Sequence, residues 1–338
     1  MIVKTMACCS LFLATLTLAQ QRIALVGSGS NVPSPLYAVW IDDFNKKDPG
    51  VQVRYLPLGT AASIQQISVG SGDFGGGEII LSREEMQGKV PLMQIPTVLV
   101  GIVPIYNLPG DPEVNFSGDL LAQIFLGKIT NWKDSRLAKL NPKHELPDMQ
   151  ITVVHRAAGK GSNYIFTDFL SKSSSEFHSK IGKSPSPHWP LGLEANRGED
   201  MVSKVAATQG ALGYVEWNFA KHSGIGYGAV ENTAGQFVRA STASIAAACK
   251  AMETSIPNDF RISLVNAPGK DVYPIASFTW IYVPASDWSS ERGRALKAFL
   301  SWALDSGQSV AEDQGYAVLP HALQLKAQAA IDTAAGGH

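Results

Sequence analysis

Val153-Val154-His155-Arg156-Ala157-Ala158-Gly159-Lys160-Gly161-Ser162-Asn163 reads as an apolar strand, a basic glycine-punctuated turn, and the entry to the helical run Tyr164 to Leu170. Backbone N–H groups at a helix start lack intrahelical acceptors, and the helix dipole adds partial positive charge there, so such a turn can cradle an anion. Arg156 offers a planar fork for two oxygens and Lys160 a point charge. Glycines at 159 and 161 let the backbone close on a ligand. Taken alone, a short strand-to-helix turn is a common connection. The rest of the chain gives it weight by repeating it.

Working outward, the strand Arg22 to Val26 leads into Gly27-Ser28-Gly29-Ser30-Asn31 and, past Pro33 and Pro35, an amphipathic helix Leu36 to Asn45. Val51 to Leu56 leads into Leu58-Gly59-Thr60-Ala61-Ala62-Ser63 and a helix near Ile64 to Val69. Asp73-Phe74-Gly75-Gly76-Gly77-Glu78 comes next, before a helical Ser82 to Gln87; the strand–loop–helix syntax recurs at 153–170 as the third such loop. Alternating strands and helices predict an α/β fold with parallel sheet, where ligands sit beyond the carboxyl ends of the strands. Loops of one chemical type should therefore converge on one ligand.

Met93 to Asn107 is almost wholly apolar and contains Pro96, Gly101 and Pro104, so it is expected as an extended crossing between two lobes. Tyr273 to Val283 is the expected return. These crossings predict lobe one over residues 20–100 plus 245–338, and lobe two over 101–244. Hinged lobes of this kind close around small ligands. The Ala/Gly-rich end, 329–338, is expected to fray.

The 338 residues carry 45% hydrophobic and 17% charged side chains with a formal net charge of −1. Nothing in that balance favours nucleic acid or an anionic membrane, so anion affinity must be local. Residues 1–19 have the basic start, apolar core and small-residue exit of a secretory signal, so the mature chain is expected to be exported. Acylation at Cys8 ranks second, because too few apolar residues precede it. Cys249 then remains alone in an Ala-rich helix, and no Cys/His cluster has metal-ligand spacing. Neither a cofactor nor a metal is expected. Trp189, Trp217, Trp280 and Trp302 read as packing residues. His155 should point away from Arg156, because adjacent strand residues face opposite ways, and catalysis there is not expected.

Gly27-Ser28-Gly29 through Pro33-Ser34-Pro35-Leu36-Tyr37-Ala38, Gln94-Ile95-Pro96-Thr97-Val98, Ile124 to Trp132, Trp189-Pro190-Leu191-Gly192-Leu193 and Gly213-Tyr214-Val215-Glu216 are collinear with one family. The chain resembles the periplasmic phosphate-binding proteins of the high-affinity phosphate ABC transporter, the PstS family. The resemblance implies a type II periplasmic-binding-protein fold. It also implies a non-enzymatic, monomeric carrier of inorganic phosphate that delivers to a membrane permease. It implies too that the ligand is held by uncharged donors, one arginine and one carboxylate, and that the carboxylate repels an anion without a proton to share.

The carry-over is partial. Asn31 and Val32 stand where the family has threonine and phenylalanine. Thr60 replaces a serine, and Glu78 an aspartate whose acceptor would sit about 1.5 Å nearer its backbone. Gly75-Gly76-Gly77 are expected to give the backbone room to yield. Arg156, Gly159 and Gly161 match, and Ser162 keeps a hydroxyl. Ala158 replaces an aspartate that would orient the arginine, and Lys160 replaces a serine. Lys160 is left either pairing with Glu78 or gripping a more highly charged anion. The alternatives to phosphate are another oxyanion, an organic phosphate, or a sensing role without tight binding.

Overall fold

The computed structural model describes residues 22–336 apart from 83, 85 and 88. The signal sequence expected at 1–19 lies outside the described residues. β1 (Ile23–Gly29) feeds α1 (Ser34–Lys47), with Pro35 in the first turn, where a missing N–H costs nothing. Leu36, Trp40 and Phe44 share one buried face of that helix. β2 (Val51–Leu56) and α2 (Thr60–Ser68) repeat the unit, and β3 (Phe74–Gly77) adds a third strand. β4 (Leu92–Tyr106) is the long strand, followed by β5 (Asn115–Phe116), α3 (Gly118–Phe125) and α4 (Ser135–Leu140). Next come β6 (Thr152–Arg156), α5 (Gly161–Ser173), α6 (Ser175–Lys180), β7 (Leu193–Ala195) and α7 (Gly198–Ala207). β8 (Ala211–Glu216), α8 (Trp217–Ser223), β9 (Ala229–Glu231), β10 (Phe237–Val238) and α9 (Thr242–Met252) complete the middle of the chain. β11 (Ala276–Pro284), α10 (Glu291–Leu304) and α11 (His321–Gly336) close it.

Eight strands form one sheet in the order β2-β1-β3-β11-β4-β8-β6-β7. Parallel β2-β1-β3 lie on one side and parallel β8-β6-β7 on the other, joined by antiparallel β11 and β4. β4 crosses between the halves: Leu92 to Gly101 pair with β11, and Ile102 to Tyr106 with β8. Every β4 residue but Met93 is buried, which explains its unbroken apolar run. Pro96 donates no ladder hydrogen bond, and the register slips beside it, opposite Thr279 and Trp280. The slip frees the Thr97 hydroxyl to contact Tyr37 (2.9 Å) and Thr279 (2.7 Å). The return lies just ahead of β11, where Ile102 N–H donates to Ile275 O at 2.9 Å. The architecture is the α/β fold expected from the alternation, with two parallel halves joined by the long apolar strands.

Three local expectations are corrected. The glycines expected to yield lie in the strand Phe74–Gly77 and are there for close approach. A Cβ on Gly76 would lie 2.6 Å from Tyr55 Oη, and one on Gly77 would lie 2.1 Å from Thr60 Cγ2. Among residues 82–87, Glu84, Met86 and Gln87 lie in turns, since so short a run cannot repay helix nucleation. The C-terminal residues do not fray through 336. α11 continues there and buries Ala327 and Ile331 against the core.

The indoles are packing residues: Trp280 is buried in β11, Trp302 lies 5.9 Å from Phe44, and Trp189 packs among Phe125, Phe177 and Tyr214. Cys249 is buried in α9 as a free thiol. Among the described residues no helix is long and apolar enough to cross a membrane.

Candidate functional site

The carboxyl ends of the parallel strands carry the polar residues singled out in the sequence. Asn31 and Val32 follow β1, Thr60 opens α2 beyond β2, and Glu78 follows β3. Arg156 is the last residue of β6, and Gly161 and Ser162 open α5. The crest of a parallel sheet is where ligands collect. Antiparallel β4 and β11 join the two crests.

The loops of the two halves touch. Ala61 N–H donates to Gly159 O at 3.3 Å. Glu78 reaches across: its Oε2 accepts from Thr60 Oγ1 at 3.0 Å, and a Cβ on Gly161 would lie 1.7 Å from that same oxygen. Only glycine leaves room for the carboxyl at the start of α5. Glu78 is wholly buried and its carboxyl pKa is pushed up to about 8, chiefly because burial penalises the charge. The hydroxyls of Ser30 and Thr60 pull it back, and Glu216 raises it further.

Arg156 and Glu216 are each 1% exposed, with Arg156 Nη1 3.3 Å from Glu216 Oε2 and 3.4 Å from Oε1. Arg156 Nη2 donates to Asn196 O at 3.4 Å. These are long bonds for a charged pair, so the guanidinium is oriented without being saturated. Tyr214 fixes the backbone below it: Tyr214 Oη accepts from Arg156 N–H at 3.2 Å and donates to Asn163 Oδ1. Asn163 in turn ties down the turn through Ala157 O (2.8 Å) and Pro185 O (3.0 Å).

Lys160 does not pair with Glu78. Its Nζ lies beside Gly59, 3.7 Å from where a Cβ would stand, and Gly59 takes φ 103°. Partial burial and the neighbouring Arg156 hold its pKa below the usual lysine value. The glycine at 159, at φ +79°, makes the turn and sends its N–H to Pro185 O at 2.9 Å. The Val32 N–H is already taken, donating to Ser30 Oγ at 3.0 Å, so Val32 contributes shape rather than a free donor. His155 turns away from the guanidinium as expected and stacks on Trp189 with ring centroids 5.8 Å apart.

Four buried side-chain atoms on these segments have no hydrogen-bond partner in the protein: Asn31 Oδ1, Glu78 Oε1, Arg156 Nε and Ser162 Oγ. An unpaired buried polar atom costs about 1–3 kcal/mol, so four drawn from three separate segments point to a small polar ligand. Glu216, Ser30 and Tyr214 were not singled out from the sequence. The available signal for Glu216 was a carboxylate ending a buried apolar strand, which demands a partner. Ser30 and Tyr214 gave none. Among the described residues no cluster of histidine, cysteine and acidic side chains could hold a metal.

The fold and this inter-lobe arrangement define the class of two-lobed solute-binding proteins. The model of the PBP superfamily domain matches residues 16–306. A Xylella fastidiosa phosphate-binding protein PstS is 34% identical over 304 residues, covering 89% of this chain and 82% of that protein. The Haemophilus influenzae protein of the same name is 34% identical over 312 residues, covering 92% of each. In fold the chain resembles a Clostridium perfringens phosphate ABC transporter substrate-binding protein solved with bound phosphate. That match has TM-score 0.64 and 20% identity, and it covers 88% of this chain and 100% of that one. The chain belongs to the PBP superfamily and, within it, to the PstS family.

Proposed function

We propose that this protein captures inorganic phosphate between its lobes and delivers it to the membrane permease of a phosphate ABC transporter. What carries the reading is the set of four unpartnered buried polar atoms between the lobes, in a chain similar to proteins named for phosphate binding. Arg156 and Lys160 supply positive charge, Ser162 and the Asn31 amide supply neutral donors, Thr60 holds the Glu78 carboxyl, and the Gly161 N–H adds the helix start. Val32 shapes the wall, and Glu78 shares a proton with the ligand. The lobes divide at 20–100 plus 245–338 and at 101–244.

The carrier is exported by residues 1–19, works as a monomer in the periplasm without a lipid anchor, and catalyses nothing. It calls for no cofactor, metal or nucleic acid. His155 has no part in chemistry, since its ring is spent on Trp189 and the Arg156 carbonyl (3.2 Å). The test is calorimetric titration of the mature chain with phosphate, after unfolding and refolding to strip carried-over ligand. Phosphate at a hundred times its Kd should add about 2.7 kcal/mol of stability. No binding heat and no rise in Tm at millimolar phosphate sink the reading.

A further inference from the structure

Away from the inter-lobe crest, the start of β4, the turn at 258–261 and α11 enclose a hollow of about 300 Å³. Strand register fixes its place. Gly77, the last residue of β3 before Glu78, pairs with Trp280, whereas Leu92 pairs with Pro284, further along β11 and away from that crest. β8 joins β4 only from Ile102 onward, so the stretch Leu92 to Ile95 has β11 on one edge and no strand on the other. The walls are apolar: Leu92, Met93, Ile95, Phe260 and Ala330. A second hollow shares Met93, Asn258 and Ala330 and continues along α11 to Ala334, where the small side chains leave room. Phe260 is buried and stands at φ +57°, in the left-handed region that a bulky side chain rarely adopts. Strain of that kind gathers at ligand sites.

The polar groups around the hollow lack partners of the right kind. Gln94 is buried, and its Oε1 accepts from Leu81 N–H at 3.0 Å while its Nε2 donates to nothing. Arg261 is half-buried, its Nε is likewise unpartnered, and among the described residues no carboxylate forms an ion pair with its guanidinium. Asp259 accepts instead from the Arg261 backbone N–H, at 3.3 Å. Lys326 Nζ donates to Ile256 O at 2.6 Å and lies 5.7 Å from the centre of the Phe260 ring, again with no carboxylate paired to it among the described residues. Cations drawn out of water are ordinarily paired, so two unpaired ones beside an apolar hollow call for an anion carried on an apolar body.

The geometry points to this hollow as a second binding site, one that takes an unbranched aliphatic monocarboxylate. The planar guanidinium of Arg261 suits a carboxylate, which can accept two parallel hydrogen bonds from it. Lys326 adds positive charge, Gln94 leaves a neutral donor unspent on the same wall, and the alkyl chain lies against Met93, Ile95 and Phe260. Inorganic phosphate does not suit, because its remaining oxygens would face apolar walls without donors. The site shares no residue with the inter-lobe cleft, so it stands independently of the phosphate reading.

The experiment is calorimetric titration of the mature chain with octanoate, butanoate and 1-octanol, with inorganic phosphate titrated in parallel to report on the cleft. One octanoate should bind per chain, affinity should fall by up to about fourfold for each methylene removed, and 1-octanol should bind at least about tenfold more weakly. Arg261→Gln should weaken octanoate at least about tenfold and leave the phosphate titration unchanged. Ala330→Leu fills the hollow without touching the guanidinium and should abolish octanoate binding. The wild-type series decides even if a variant does not fold. No heat and no rise in Tm at millimolar octanoate overturns the inference. Butanoate or 1-octanol binding as tightly as octanoate overturns it too, since the apolar walls or the cations then play no part. Octanoate affinity unchanged in both variants overturns the placement of the site.

Discussion

Arg156 and Glu216 close the ends of neighbouring parallel strands, β6 and β8, and meet with Nη1 3.3 Å from Oε2 while each is 1% exposed. The position that would orient the arginine from the turn is Ala158, so its orientation comes from across the sheet. A buried pair of this kind is weak evidence for net stability, but removing one partner strands a charge. Glu216→Gln should therefore lower the stability of the ligand-free chain by about 3 kcal/mol. Phosphate should narrow that gap, because an anion against Arg156 compensates the stranded cation. Urea unfolding with and without phosphate checks both parts; an equal loss in the two conditions removes the link between Glu216 and the ligand.

Arg156→Ala removes the site's planar donor and strands Glu216 in turn. Truncating one side of a buried hydrogen-bonded charge pair costs about 2–5 kcal/mol, so anion affinity should fall at least about thirtyfold. The double change Arg156→Ala with Glu216→Ala should recover stability without recovering binding. Calorimetry against the unfolding midpoint separates the two, and retained affinity in Arg156→Ala removes its role as anchor.

Much of this site is legible in the sequence, because the loops after β1, β2 and β6 follow strands of ordinary apolar character. The β2 limits, Val51 to Leu56, are read as they stand in the structure. What local pattern could not show was pairing between distant segments. The glycines 75–77 look free to yield until β1 and β11 are found on either side of them. Lys160 looks like a partner for Glu78 by charge, yet the fold puts Arg156 against Glu216 and leaves Glu78 with a hydroxyl. Ser30 is invisible as a site residue because only the fold brings its hydroxyl to Glu78, across from β1 to β3.

Glu78 also makes stability pH-dependent. Burial pushes its folded pKa up to about 8 from the ordinary 4.5, so between those limits the folded chain holds a proton that the unfolded chain has released. Stability is then fully present below the lower value and falls as pH rises through the window, by up to about 1.4 kcal/mol per pH unit. Glu78→Gln should flatten this slope in the ligand-free protein. Urea midpoints measured at intervals across the window test it, and parallel curves for wild type and variant exclude Glu78 as the source.

Lys160→Ser should weaken anion binding. The ammonium lies at the mouth between Gly59 and the α5 start, with a pKa held below normal by burial and by Arg156. Held there, it attracts an incoming anion more than it blocks one. Several-fold weaker binding and a shallower salt dependence are expected, since a half-exposed charge acts mainly through screened attraction. Tighter phosphate binding in the variant reverses the assignment and makes Lys160 an obstruction.

Gly161→Ala tests closure itself. Gly161 sits at the first position of α5, and its missing side chain is what lets Glu78 reach the helix start. An added Cβ would lie 1.7 Å from Glu78 Oε2, 2.7 Å from its Cδ and 2.9 Å from Thr60 Oγ1. Alanine suits a helix better than glycine by about 1 kcal/mol, so lobe two should fold at least as well. The cost falls on the meeting of the halves, which must open or displace the carboxyl. The expected outcome is a near-normal unfolding midpoint, a larger radius of gyration in solution scattering, and phosphate affinity lost by more than tenfold. Unchanged affinity in that variant means that the two loops do not need to meet for the anion to be held.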